Sequence, residues 1–119
     1  MTRDAFRNRL DQLDRELQEM GSAVQGLIAG AIDALLQRRV DLAQRVIDGD
    51  EVVDRYYAQI EALCLEILML QQPVAGDLRQ VASTLKLITD LERIGDEAKK
   101  VARIVANMVE TGSPRSYYV

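Results

Sequence analysis

Residues 6–34, FRNRLDQLDRELQEMGSAVQGLIAGAIDA, place apolar side chains at Phe6, Leu10, Leu13, Leu17, Met20, Val24, Leu27, Ala31 and Ala34. Steps of four and three residues alternate strictly along this row, which returns each side chain to one side of an α-helix and marks the seam of a long bundle helix. Leu35, Leu36 and Ile28 widen the stripe. A helix of roughly 35 residues is about 50 Å long at 1.5 Å per residue, so the sequence predicts a rod rather than a globin-like packet. Gly21, Gly26 and Gly30 lie within it. Each costs up to about 1 kcal/mol relative to alanine, which points either to close backbone approach or to local mobility.

Outward from this helix, Gln37-Arg38-Arg39 puts positive charge at a helix C-terminus, and Asp41-Leu-Ala-Gln44 offers an N-cap with glutamine at the capping-box position. A turn belongs near Arg39. A second seam then runs Leu42, Val46, Gly49, Val53, Tyr56, Ile60, Leu63, Ile67 and Leu70. Its register is continuous through Asp48-Gly49-Asp50, which favours one helix with Gly49 as the place for a bend. Gln71-Gln72-Pro73 closes that helix, because proline restricts the residue before it and suits the first turn of the next. The third seam reads Val74, Leu78, Val81, Leu85 and Ile88, then shifts by one to Leu91, Ile94, Ala98, Val101, Val105 and Met108. Such a shift alters the local winding. Thr111-Gly112-Ser113-Pro114 stops the third helix, so residues 1–112 form the bundle and 113–119 a short tail. Short turns make consecutive helices antiparallel, and the expected fold is an all-α, up-down-up three-helix bundle.

Bulk composition agrees. The 119 residues are 48% hydrophobic and 29% charged, enough apolar material for the core of one domain. Aromatic residues make up 4% and tryptophan is absent, so Leu, Ile, Val, Ala and Met must build that core. A net charge of −4 with interspersed Lys and Arg argues against a nucleic-acid surface, which needs concentrated positive charge. The single cysteine, Cys64, sits in the apolar run Ile60-Glu-Ala-Leu-Cys-Leu-Glu-Ile67 and reads as a small buried thiol. No segment has the length and apolarity of a signal peptide or a membrane span, so a cytoplasmic location without membrane insertion is expected. Histidine is absent, which removes imidazole metal ligands, Ser/His and Cys/His nucleophile pairs and the Glu-x-x-His motif of di-iron bundles.

The remaining chemistry lies in carboxylates. At 100° per residue, with the second seam facing inward, Asp50 falls on the flank, and Asp54 and Glu61 lie further towards the outside. Glu92 and Asp96 form an i,i+4 pair opposite Leu91, Ile94 and Ala98. Folding the second and third helices about the turn near Pro73 sets side by side residues whose numbers add to about 145. Asp50 then meets the level of Gly95, and Asp54 that of Leu91. Four carboxylates would share one or two turns, with Gly95 leaving room for close approach. Like-charged i,i+4 pairs destabilise a helix by a few tenths of a kcal/mol, and a cation would offset that. An all-oxygen donor set suits Mg²⁺, Mn²⁺, Ca²⁺ or iron and disfavours structural zinc. The competing reading is a solvated acidic face neutralised by Arg93, Lys99 and Lys100, with Asp96 and Lys100 as an ordinary helical ion pair. Spacing alone favours the solvated face.

Three segments carry a resemblance: Asp41-Leu-Ala-Gln-Arg-Val-Ile-Asp-Gly-Asp50, Gln72-Pro-Val-Ala-Gly-Asp-Leu-Arg79 and, above all, Leu91-Glu-Arg-Ile-Gly-Asp-Glu-Ala98. In order and spacing the chain resembles the PhoU family of phosphate-signalling proteins associated with bacterial phosphate uptake. The resemblance implies a three-helix bundle whose Glu/Asp-x-x-x-Asp motifs hold metal ions at its surface, here Asp50 with Asp54 and Glu92 with Asp96. It makes metal binding, by Mg, Mn or Fe, the expected property. It also implies a non-enzymatic negative regulator that connects the ATPase of the phosphate ABC transporter with a sensor histidine kinase. Two departures stand out. Lys100 occupies a place where many members have asparagine, which puts a positive charge near the expected cation. The resemblance also covers only the first of the two bundles that members typically carry, and a homodimer would imitate the pair. A carboxylate-bridged metal-handling bundle and a ligand-free structural helical module are the alternatives.

Overall fold

The apolar seams fold into three long helices in the computed structural model, which describes residues 3–70 and 75–111. They are α1 (Arg3–Gln37), α2 (Val40–Leu70) and α3 (Ala75–Thr111), each packed against both others. In α1 the buried residues are Phe6, Leu13, Met20, Val24, Leu27, Ala31 and Ala34, with Leu10 and Leu17 partly buried beside them. The predicted seam is therefore the packed one. Its predicted widening is not: Ile28 and Leu35 stay exposed, and Leu36 is 76% exposed, because it lies on the side of the helix turned away from the seam.

Arg38 ends α1 in the left-handed region, at φ 51. The amide of Arg39 then donates to the carbonyl of Ala34 at 3.2 Å, the backward closure that usually has glycine at its left-handed position. The carbonyl of Arg39 accepts from the amide of Ala43 at 3.2 Å, so Arg39 rather than Asp41 is the capping residue of α2. Asp41 sits inside the first turn and accepts from Arg39 Nη2 at 2.6 Å and from Arg39 Nε at 3.1 Å. That hydrogen bonding holds its carboxyl below the usual range. Gln44 donates to Asp48 at 2.9 Å instead of reaching back as a capping box. The turn expected at Gln71-Gln72-Pro73, the seam residue Val74, the stop at Gly112 and the tail over 113–119 lie outside the described residues.

The antiparallel register of α1 and α2 is constant along the pair. Arg9 meets Glu66, Glu19 meets Tyr56, Leu27 meets Gly49 and Gly30 meets Val46, all with residue numbers adding to 75 or 76. Gln80 on α3 donates to Asp14 on α1 at 3.1 Å. The principal extents are 60 × 24 × 17 Å. A radius of gyration of 18.3 Å exceeds the roughly 13–14 Å of a compact chain of this length, so the molecule is a rod. Among the described residues, no helix is long and apolar enough to cross a membrane.

α2 is unbroken through Asp48-Gly49-Asp50. Cys64 is fully buried on it, and burial followed by the charge of Glu61 pushes its thiol up to about 11, so it stays protonated and unreactive. The shift predicted in α3 does not occur. Its buried residues are Val81, Thr84, Ile88, Gly95, Ala98, Ala102, Val105 and Met108, whereas Ile94 and Val101 are exposed. A regular seam runs through Thr84, Gly95 and Ala102, residues that a search for large apolar side chains passes over. Thr84 is satisfied by donating to the Gln80 carbonyl at 2.8 Å.

The glycines of α1 divide by packing. A Cβ on Gly30 would lie 2.8 Å from Val46 Cγ2, so close approach accounts for this position. Cβ atoms on Gly21 or Gly26 would meet nothing within 4 Å. Gly26→Ala should therefore stabilise the bundle by about 0.5–1 kcal/mol through helix propensity alone. Gly30→Ala should be destabilising despite the same propensity gain, and urea unfolding midpoints of the two variants check the contrast.

Candidate functional site

Asp50 occupies a place in the packed seam of α2, between Val46 and Val53, and is 2% exposed. Pattern reading puts it on the flank, and the structure corrects that. A helix in a three-helix bundle packs against two neighbours, so its buried arc is wider than a single four-three row and takes in Ala43, Asp50 and Cys64. The expected level is right, however. A Cβ on Gly95 would lie 3.3 Å from Asp50 Oδ1, 3.5 Å from Val53 Cγ1 and 3.8 Å from Leu27 Cδ1. Gly95 thus leaves the space that the carboxylate fills. Leu27 is held from the other side by Gly49, whose Cβ would fall 2.8 Å from Leu27 Cδ2.

Glu92 is half-buried, with Oε2 enclosed and without a hydrogen-bond partner, while Ile94 is 41% exposed. Their expected positions are exchanged, because the seam passes through Gly95 rather than Ile94. Asp54 and Asp96 are exposed, as their spacing predicts. Glu92 lies within electrostatic reach of Asp50, Asp54 and Asp96, and Asp50 within reach of Asp54 and Asp96. Burial raises the Asp50 carboxyl above the usual range, and the charges of Asp54 and Asp96 raise it further against the opposing effect of Lys99. Burial pushes Glu92 up to about 8, helped by hydrogen bonding with Asp54 and by the negative charges of Asp54, Asp96 and Asp50.

The cation that answers this charge is Lys99, whose Nζ lies 3.4 Å from Asp50 Oδ2. Lys100 turns instead to Glu97, at 3.2 Å, so the expected pairing of Asp96 with Lys100 is not formed. Asp50 Oδ1 has no hydrogen-bond partner. Among the described residues, no three His, Cys, Asp or Glu side chains are drawn together closely enough to hold a metal ion: the four carboxylates adjoin without converging. Two enclosed, unpartnered carboxylate oxygens on facing helices nevertheless fit a hard cation, which carboxylates hold through oxygen alone. One acid escapes the sequence reading altogether. Glu16 on α1 also has an enclosed, unpartnered Oε2, and the available signal was its place beside Leu17 on the margin of the seam.

Residues 17–105 match the family model of the PhoU domain, a span that includes all four carboxylates. The chain belongs to the PhoU family. A Pseudomonas putida protein named "Phosphate-specific transport system accessory protein PhoU homolog" is 40% identical over 113 residues, covering 94% of this chain and 44% of that protein. An Aquifex aeolicus protein of the same name is 36% identical over 108 residues, covering 91% of this chain and 49% of its own length. The crystal structure of PhoU from Pseudomonas aeruginosa superposes with a TM-score of 0.88 at 39% identity, over 95% of this chain and 55% of that one. The chain spans about half the length of the PhoU relatives it matches.

Because folded Glu92 binds its proton more tightly than the unfolded chain, which releases it near 4.5, the folded state holds more protons between pH 4.5 and about 8. Stability therefore falls as pH rises through that window and is greatest, for this group, at its acid end. With EDTA present, the melting temperature of the protein should drop between pH 5 and pH 8. In Glu92→Gln that slope should be roughly halved or smaller, and thermal melts in a pH series measure both.

Proposed function

We propose that this chain is a regulatory binding protein of phosphate signalling. It acts in the cytoplasm as an accessory of a phosphate ABC transporter, connects the transporter ATPase with a sensor histidine kinase, and works as a negative regulator while phosphate is plentiful. The supporting observation is the family match over residues 17–105, together with relatives named as accessory proteins of the phosphate-specific transport system. Its work is binding and not catalysis, in keeping with a sequence that has no histidine. Asp50, Asp54, Glu92 and Asp96 hold Mg, Mn or Fe on the α2/α3 side. A cation there would neutralise the clustered charge and join the two helices.

The opposite side suits self-association into a homodimer. The hydrogen bond between Gln80 and Asp14 marks the border of α1 and α3. Leu87, Ile94 and Val101 follow Gln80, and Ile28 and Leu35 follow Asp14, at multiples of seven residues, which keeps them on that border in a bundle. All five are exposed. A second copy packed on this rim would supply a second bundle.

Recovery of the tagged chain from phosphate-replete cells of its host should enrich the transporter ATPase and the sensor kinase, and recovery without either would overturn the adaptor role. Mn²⁺ or Mg²⁺ should raise the melting temperature of the purified protein by several degrees, an effect that Asp50→Asn and Asp96→Ala remove. For the dimer, light scattering should give twice the chain mass for the native protein and close to the monomer mass for Ile94→Glu.

A further inference from the structure

Asp50 is the buried charged residue of the described interior, and its two oxygens have different surroundings. Oδ1 faces the space above Gly95 and has no hydrogen-bond partner. Oδ2 is met by Lys99 Nζ at 3.4 Å. That separation is longer than the roughly 2.7–2.9 Å of a tight ammonium–carboxylate hydrogen bond, so the pair is a loose one. The Lys99 side chain is 27% exposed against 3% for that of Asp50, so the ammonium reaches inward from solvent and has solvent to return to. The neighbouring Lys100 is engaged elsewhere, by Glu97 on the exposed face. Lys99 is thus a monovalent cation on a tether, seated on the most buried carboxylate of the cluster.

We propose that Lys99 is an intrinsic competitor for the cation site, holding the Asp50 carboxylate in the metal-free protein and being displaced to solvent when a divalent cation enters. This rests on the metal-binding reading given above. Two positive charges on one enclosed carboxylate repel each other strongly where water screens poorly, so the ammonium and a divalent ion exclude one another. Lys99 has two consequences. It steadies the empty site, and it weakens the site for cations, so that only a sufficient cation concentration empties it of lysine. Binding then releases a positive charge onto the α2/α3 surface, where a partner protein would meet it.

Calorimetric titration of the full chain with Mn²⁺ at pH 7 tests this on the native protein, Lys99→Met and Lys100→Met. Lys99→Met should bind Mn²⁺ at least about tenfold more tightly than the native protein and, in EDTA, should melt at a lower temperature. Lys100→Met should match the native protein in both respects. Equal Mn²⁺ affinity in the native protein and Lys99→Met would overturn the competition while leaving the metal site standing. Absence of Mn²⁺ binding in both would overturn the metal site and the competition together. A second measurement needs no variant: on adding Mg²⁺, the side-chain NMR signals of Lys99 should move and those of Lys100 should not, and an unmoved Lys99 in protein that binds Mg²⁺ overturns the proposal.

Discussion

A carboxylate taken out of water into a helix bundle loses several kcal/mol of hydration, and Asp50, at 2% exposure, is in that position. This exceeds by an order of magnitude the few tenths of a kcal/mol by which neighbouring like charges on a helix repel. Burial, and not repulsion along one helix, therefore dominates the electrostatics of the α2/α3 side. The compensation inside the chain is partial: Lys99 meets one oxygen and nothing meets the other. The rise of Glu92 to about 8 has the same origin, since enclosure comes first among its causes. A site with unmet acceptor capacity on two facing helices is suited to binding a positive charge.

Geometry explains why that layer can exist. Gly49 and Gly95 bring α2 and α3 close to Leu27 of α1, and the absent side chain of Gly95 leaves the volume in which the Asp50 carboxylate sits. Elsewhere the core is largely apolar, built from residues such as Leu13, Met20, Ile60, Ile67 and Ile88. The bundle is thus conventional along most of its length and unusual at one level. The α2/α3 side carries the carboxylates, while Ile28 and Leu35 of α1 and Leu87, Ile94 and Val101 of α3 are exposed apolar residues.

Much of this was readable from residue spacing, and the failures share a cause. The number of helices, the turn beside Arg39 and the facing levels of Asp50 and Gly95 follow from periodicity and from the antiparallel geometry of short connections, which depend on chain length more than on residue identity. The inward position of Asp50 and the exchange of Glu92 with Ile94 were not readable, because a pattern search sorts residues by polarity and these positions invert it. Gly95, Thr84 and Ala102 carry the α3 seam without being large or strongly apolar, so their omission created an apparent change of register. The partners of Lys99 and Lys100 depend on side-chain direction within a single turn, which spacing leaves open. Capping failed for a related reason: backbone geometry at Arg38 ended α1 and placed Arg39 at the start of α2, one turn signal ahead of Asp41.

The contacts of Leu27 with the bare backbone of Gly49 and Gly95 have an evolutionary consequence. A methyl group added at Gly49 would overlap Leu27, and one added at Gly95 would crowd Asp50 and come into ordinary contact with Leu27. Substitutions at these positions therefore share space and do not act independently. Lineages that enlarge one of them are constrained to shrink another, so the record of accepted changes should show Leu27, Gly49 and Gly95 drifting as a correlated set. Part of the inheritance of the acidic site would then be carried on α1, by an aliphatic residue with no charge of its own.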